Sequence, residues 1–443
     1  MIPQLQWETT RSSPEIAPKW SLATRIGFRF LFIYFFLYTG PGAIGARGLN
    51  ETPGGYHAIF AGLYDRIVPW FGTHVLGLKG NLGELASGSG DQVYDYVLIL
   101  CIFLISCLGA AIWSVLDRRR TNYRQLYQWL RLGIRLLLVT AMMTYGAAKI
   151  LPMQFAPIPL ARLVHPLGYT SPQGLLWAFM GYSKGYAFFG GVAEMLGALL
   201  LAVPRFTTLG ALVSLGALSN VLMLNLCYDV PRKIFTIHLV LFCLMLILPD
   251  THRLLNVFIF NRTAEPASTI PFLRDKQLNR GVLALQYFYC AAILLIVVQA
   301  SYKGAVQNAT LIDSSLRGIW FVEEFALDNV PVPALVTNEQ RWEYVIFDSS
   351  DIITIQPMEG TLRLHQFTLS QDKKSLELEN IDAPQWKARL TLSSQGEDRM
   401  SLTGQADGHQ VSATLRRVDM SNSTRFLLAN RGFHWVTAIP RWR

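Results

Sequence analysis

Seven stretches of about 20 predominantly apolar residues run through the first 302 positions, near residues 25–44, 93–115, 131–151, 184–203, 206–228, 233–249 and 281–302. Each is long enough to cross a bilayer as a helix. Beyond residue 303 the long runs give way to alternation. Met400, Leu402 and Gly404 alternate with Ser401 and Thr403, and Val411, Ala413 and Leu415 alternate with Ser412 and Thr414. A period of two marks strands, and its break at Ala406-Asp407-Gly408 predicts a hairpin turn. Further short strands are predicted at Gly318–Phe325, Arg341–Phe347, Ile352–Gln356, Thr361–Thr368, Ser375–Leu378 and Lys387–Leu392. Sequential hairpins of this kind close as a small up-and-down barrel. The predicted fold class is an α-helical polytopic membrane bundle of about seven spans followed by an all-β, barrel-like soluble domain.

The pattern divides the chain. Residues 1–24 form a polar cytoplasmic segment, and 25–130 hold the first two spans with a long outer loop. Residues 131–250 hold a four-helix membrane core, 251–302 a basic cytoplasmic loop with the seventh span, and 303–443 an extracytoplasmic β domain. The first 24 residues lack a small-residue cleavage pattern, so the first span is expected to be an uncleaved anchor. Basic residues in short loops mark the cytoplasmic side. Arg118, Arg119, Arg120 and Arg124 follow the second span; Arg253, Arg262, Arg274, Lys276 and Arg280 follow the sixth. The opposite loops are poorer, with Arg47, Arg66, Lys79 and Arg162. This places the N-terminus in the cytoplasm and the C-terminal domain outside an inner (plasma) membrane, with the lipid bilayer as first partner.

Composition agrees. The 443 residues are 51% hydrophobic and 16% charged, against about 25% charged in soluble domains. The net charge of +9 does not indicate nucleic acid, because the Lys and Arg residues flank apolar runs instead of forming a basic patch with interleaved aromatics. All five cysteines lie in apolar runs and no CxxC is present, which argues against paired-thiol chemistry. No metal-ligand set, Walker motif or G-x-S-x-G occurs.

Two outer loops carry structure of their own. Residues 45–92 include the amphipathic stretch His57–Leu78, and residues 152–183 carry Pro152, Pro157, Pro159 and Pro166 before the apolar Gly174–Gly181. Both predict short interfacial helices, which either cover an outward-opening cavity or simply pack at the headgroups. There is also a weak internal repeat, to which chance similarity between two apolar segments is the alternative. Arg25-Ile26-Gly27-Phe28-Arg29 matches Arg131-Leu132-Gly133-Ile134-Arg135, each opening a span, with Gly40 opposite Gly146 and Ala43 opposite Lys149.

Ionisable groups inside spans are costly and mark candidate sites. Ala187, Gly190, Gly191, Glu194, Gly197 and Ala198 share one helical face, so Glu194 is expected against another helix rather than lipid. At 1.5 Å rise per residue, Glu194 lies roughly 15 Å below the outer end of its span, Asn220 roughly 12 Å and His238 roughly 8 Å. Lys149 lies only about 3 Å from its own span's end. On this arithmetic Asp229 is the nearer partner for Lys149. Glu194 is expected as a neutral acid bonded to Asn220 or His238, donating to a quinone-like carbonyl or passing a proton. The alternatives are a purely packing role for Glu194 and a snorkelling Lys149.

Residues 131–250 resemble the DoxX family of small four-helix membrane proteins. The resemblance rests on Arg131-Leu132-Gly133, Tyr145-Gly146-Ala147-Ala148-Lys149 and the run Gly190-Gly191-Val192-Ala193-Glu194-Met195-Leu196-Gly197-Ala198-Leu199-Leu200-Leu201. Asn225, Tyr228-Asp229-Val230-Pro231 and His238 resemble features of a longer subgroup. The resemblance implies Glu194 and Lys149 as catalytic candidates, and Tyr145, Asn225, Asp229 and His238 as cofactor-binding candidates, to which its depth adds Asn220. It further implies a subunit of, or partner to, a quinone-linked membrane redox system. A second resemblance, without a residue-by-residue match, is to the vitamin K-dependent gamma-carboxylases, where Lys149 would be the base.

The β domain looks lipocalin-like through Gly318-x-Trp320 at its first strand. Such a barrel holds one small ligand or fills its own core, and Arg431-Gly432-Phe433-His434-Trp435 is expected to plug or pack one end. Two function classes stay open: a redox-complex subunit or enzyme, and a non-catalytic envelope-assembly or ligand-binding protein.

Overall fold

The computed structural model describes residues 19–39, 57–79, 91–266, 272–273, 275–308, 316–349, 351–371, 374–421 and 426–430. The chain order begins with α1 (Leu22–Thr39), α2 (His57–His74), α3 (Val93–Leu116) and α4 (Arg124–Ile150). It continues through α5 (Pro172–Tyr182), α6 (Lys184–Ala202), α7 (Thr207–Cys227), α8 (Lys233–Ile247), α9 (Thr251–Phe258) and α10 (Lys276–Asn308). Among the described residues, seven stretches are long and apolar enough to cross a membrane: 22–39, 93–116, 124–150, 184–202, 204–227, 233–258 and 276–307. They are the runs read from the sequence, within about five residues except at the third, which begins seven residues before 131, and at the sixth and seventh. There α9 prolongs the sixth beyond residue 249, and α10 is longer at both ends than 281–302. The protein is a multi-pass membrane protein. Gly40 and Ala43 of the repeat and the segment 431–435 lie outside the described residues.

The chain forms two compact units. The first comprises Met1–Met142, Leu196–Leu222 and Pro231–Ala291. In it α1 packs on α3 around a buried arginine. Arg29 donates from Nε and Nη2 to the Tyr123 hydroxyl (2.9 and 2.8 Å), from Nη1 to Ser114 Oγ (2.7 Å) and from Nη2 to the Asp117 carbonyl (2.8 Å). Tyr123 in turn donates to the Asp117 carboxylate at 2.8 Å. A buried guanidinium is tolerated because its donors are answered in this way. A second lock fixes α8. The Asp91 carboxylate accepts the backbone N–H groups of Arg232, Lys233 and Ile234 at 2.6, 2.5 and 2.9 Å. It supplies the anion that the exposed N–H groups of a helix start favour.

The second unit comprises Met143–Met195, Met223–Val230 and Ala292–Arg443. Its barrel is built from β1 (Gly318–Leu327), β2 (Val330–Pro331), β3 (Trp342–Phe347), β4 (Ile352–Pro357), β5 (Arg363–Leu369), β6 (Ser375–Asn380), β7 (Lys387–Ser394), β8 (Arg399–Ala406) and β9 (His409–Arg417). Neighbours pair antiparallel in order, and β1 pairs with β9 from Trp320↔Arg417 to Leu327↔Val411, which closes eight strands into a barrel. β2 is a two-residue return on β1 that the alternation does not reveal. Its turn, Asp328-Asn329, places both residues at positive φ (51° and 62°) without glycine. The anticipated hairpin is present: Asp407 and Gly408 have φ 51° and 82° between paired Ala406 and His409, the geometry of a two-residue I′ turn.

Alternation is strict where the sequence shows it. In β7 Ala388, Leu390 and Leu392 are buried, while Lys387, Arg389 and Thr391 are exposed. The inward residues form one contiguous apolar cluster, with Trp320, Phe325, Trp342, Phe347, Phe367 and Leu402 among its members. The third loop docks on the barrel's outside. Leu160 and Ala161 pack with Ile319, Ile346 and Phe426, and the Leu160 N–H donates to the Asp348 carboxylate at 2.8 Å. That loop holds the short helices its prolines and apolar run predicted: two 3-10 turns (Leu160–Leu163 and Leu167–Tyr169) and then α5, capped by Ser171.

Candidate functional site

The site is set by a glycine contact between α4 and α6. A Cβ on Gly146 would lie 3.0 Å from the Gly191 carbonyl oxygen, and one on Gly191 would lie 2.8 Å from the Gly146 carbonyl oxygen. The second does not fit and the first fits only if the backbone opposite gives way, so glycines permit this approach, as small residues do between membrane helices generally. Gly146 also meets Met195, and Gly191 meets Ile150. The two helices therefore run in opposite directions at the contact. The rest of the predicted stripe follows: Ala187, Gly191, Glu194, Gly197 and Ala198 are buried, while Phe188, Phe189, Val192, Leu196 and Leu199 face outward.

Lys149 and Glu194, each one turn along its own helix from its glycine, meet between the two glycines. Lys149 Nζ donates to Glu194 Oε2 at 2.9 Å, with the two residues only 9% and 3% exposed. The ammonium also reaches back to the Tyr145 carbonyl at 3.5 Å and lies 5.6 Å from the Tyr145 ring centre. This overturns the pairing expected from depth, in which Asp229 served Lys149, and Asn220 or His238 served Glu194. Depth counted from helix ends assumes that the ends lie level. With Gly146 opposite Met195 and Ile150 opposite Gly191, α6 starts roughly 10 Å beyond the end of α4. Glu194 then stands within about 5 Å of Lys149 along the axis. Side chains lean toward their helix's N-terminus, so in opposed helices these two lean toward each other.

The remaining candidates separate. Within the second unit Asn225 is buried in the last turn of α7, its carbonyl accepting the Val230 N–H at 3.1 Å. Asp229 is exposed in the following turn at φ 51°. Within the first unit Asn220 lies on an exposed face of α7. His238 is buried on α8 with both ring nitrogens engaged: Nε2 lies 2.6 Å from the Tyr34 hydroxyl and Nδ1 2.7 Å from the Ile234 carbonyl. Tyr38 stacks on the imidazole at 4.2 Å between centres. His238 thus belongs to an aromatic cluster with α1. The sequence reading missed Tyr34 and Tyr38, whose four-residue spacing on the first span was the available signal. Among the described residues no cluster of three or more His, Cys, Asp or Glu side chains is placed to hold a metal.

No protein-family model and no solved structure matches this chain. A stretch of 125 residues, 28% of the chain, is 32% identical to the uncharacterized protein YwoB of Bacillus subtilis (strain 168) and covers 79% of that protein.

Proposed function

The chain belongs to the family of Bacillus subtilis YwoB, and from its buried Lys149–Glu194 pair we propose that it is a DoxX-like membrane subunit of, or partner to, a quinone-linked redox system, with these two residues at its polar centre. The observation that carries this reading is the Lys149–Glu194 pair, buried at a glycine crossing inside membrane spans. Paired ionisable groups at such depth mark substrate or proton pathways. The donor set fits a quinone headgroup. An ammonium has three N–H groups; Glu194 and the Tyr145 carbonyl take two, and the third can hold a carbonyl oxygen. The Glu194 carboxylate would accept a proton beside it. A bound quinone would supply two-electron, two-proton chemistry; the chain supplies the donor, the proton acceptor and a dry wall.

The carboxylase-like reading needs Lys149 presented as an unpaired amine, and its contact with Glu194 leaves that reading without support. A packing role remains the specific competitor, because the glycines alone bring the helices together. The test is titration of decylubiquinone or menadione into purified full-length protein in nanodiscs, followed by tryptophan quenching. Saturable binding is expected, weakened at least about tenfold by Glu194→Gln, the loss expected for one charged hydrogen bond. Absence of saturable binding would sink the quinone reading and leave packing.

Topology belongs to the same proposal: cytoplasmic N-terminus, extracytoplasmic barrel, inner membrane. The basic loops support it. The docking of the third loop on the barrel fits the span count, since the four spans between them put that loop and the C-terminal domain on the same side in either orientation. An exported alkaline phosphatase fused after Arg443 is expected to be active, and a fused cytoplasm-only fluorescent reporter dark. The reverse pattern would overturn the orientation.

A further inference from the structure

The internal repeat sets two arginines side by side for comparison. Arg29 and Arg135 occupy equivalent places, each four residues after an arginine and two after a glycine at the start of a span. Both are buried, at 1% and 7% exposure. Arg29 spends its donors on Tyr123, Ser114 and Asp117, as described above. Arg135 makes one long contact, Nη1 to Thr207 Oγ1 at 3.3 Å, and its buried Nε and Nη2 have no hydrogen-bond partner among the described residues. A guanidinium removed from water with unanswered donors is costly. The first copy shows the protein answering this position from within; the second leaves it facing a cavity.

That cavity measures about 1560 Å³ and lies wholly in the first unit. Arg124, Gln128, Arg131 and Arg135 line it from one face of α4, at i, i+4, i+7 and i+11. Arg205, Arg253, Lys276 and Arg280 bring the Arg and Lys side chains on its wall to seven, against the two carboxylates of Asp250 and Glu265. Asp250 is already committed to Arg253 at 2.6 Å and to Thr208. The N-termini of α7 and α10 also open on the cavity through Thr207, Thr208 and Lys276, and helix N-termini attract anions. Leu132, Leu254, Val257 and Leu283 supply an apolar wall beside the charges.

We propose that this cavity is a phosphate-anion site, with Arg135 as its buried anchor and the arginines around its mouth as an outer clamp. The planar guanidinium suits a phosphate's oxygens in bidentate fashion. Basic pockets between membrane helices at the positively charged face take anionic headgroups, and the apolar wall gives an acyl chain somewhere to lie. This site is separate from the Lys149–Glu194 pair and stands whether or not that pair binds a quinone.

The experiment uses full-length protein in a mild detergent and native mass spectrometry. The probes are dioctanoyl phosphatidylglycerol, dioctanoyl phosphatidylcholine and, separately, inorganic phosphate. Phosphatidylglycerol is expected to bind saturably and at least about tenfold more tightly than phosphatidylcholine, with Arg135→Gln removing at least about tenfold of that affinity. If inorganic phosphate alone saturates the site as tightly as the lipid, its source is free phosphate; if it only competes weakly, the source is a lipid headgroup. Arg280→Gln, at an exposed position on the wall, keeps the test decisive should Arg135→Gln fail to fold, and is expected to weaken binding several-fold. Unchanged binding in both folded variants, unchanged binding in Arg280→Gln where Arg135→Gln does not fold, or no saturable binding of either anion, would overturn the proposal.

Discussion

Lys149→Met and Glu194→Leu are each expected to destabilise the protein by about 3–5 kcal/mol, the cost of leaving one member of a buried ion pair uncompensated. The double variant Lys149→Met/Glu194→Leu is expected to recover most of that loss. Replacing both members of a buried pair by apolar groups of similar size removes two desolvation penalties together with the attraction, and the balance is often near neutral. The two residues touch at 2.9 Å, so their effects will not add. Melting of purified protein in detergent measures all four corners of this cycle. The double variant's quinone titration then separates stability from chemistry: a well-folded double variant that no longer binds assigns the pair a functional role. A double variant destabilised by the sum of the two single losses would show that the two side chains do not depend on each other, and would remove the pair from the argument.

The second large effect is acid weakening of the barrel through His365. This residue is buried on β5, 1% exposed, with Trp386 at 4.5 Å between ring centres. Its Nδ1 donates to the Arg363 carbonyl at 3.0 Å, and its Nε2 faces the Asn380 amide nitrogen at 3.3 Å and accepts from it. A second proton would point a donor at a donor. Burial, opposed in part by the Arg363 carbonyl, brings the imidazole pKa down to about 4, against about 6.5 in an unfolded chain. Between those values the unfolded chain binds a proton that the folded barrel refuses. Stability is therefore complete above pH 6.5 and falls as pH drops toward 4, by about 3 kcal/mol in all. Hydrogen exchange of β5 and β6 amides at pH 7 and 4.5, corrected for intrinsic rates, reads this directly. His365→Gln should flatten the difference, and an equal pH response in that variant would exclude His365 as its source. The exposed His409 works in the opposite sense, since its bond to Asp328 raises its pKa.

The features legible in advance are those carried by local pattern. Spans such as α3 and strands such as β7 declare themselves because burial repeats within a few residues. The stripe on α6 was readable for the same reason, and it correctly placed Glu194 away from lipid. The partner of Glu194 was not readable. It depends on how far α6 overshoots the end of α4, a quantity set by the Pro-rich loop and α5 between them. Asn220 shows the converse error: a polar residue at a suitable depth lies on the exposed face of its helix. The caps were invisible too. Asp91 reaches N–H groups more than 140 residues away in sequence, and no spacing rule points there.

Closure of the barrel between its first and last strands has a consequence for the order of events at birth. β1 is synthesised early and must wait for β9, about 90 residues later, before its outer edge is paired. Non-local closures of this kind are slow because the loop entropy is lost before the contacts repay it. In the interval β1 and each newly emerged strand present open edges, which are templates for pairing with other chains. A chain stopped after β8 would keep both edges permanently. The window of greatest vulnerability to aggregation thus falls late in synthesis, after all seven spans are made, so a nascent chain released within that window carries a finished membrane bundle attached to an unsealed sheet.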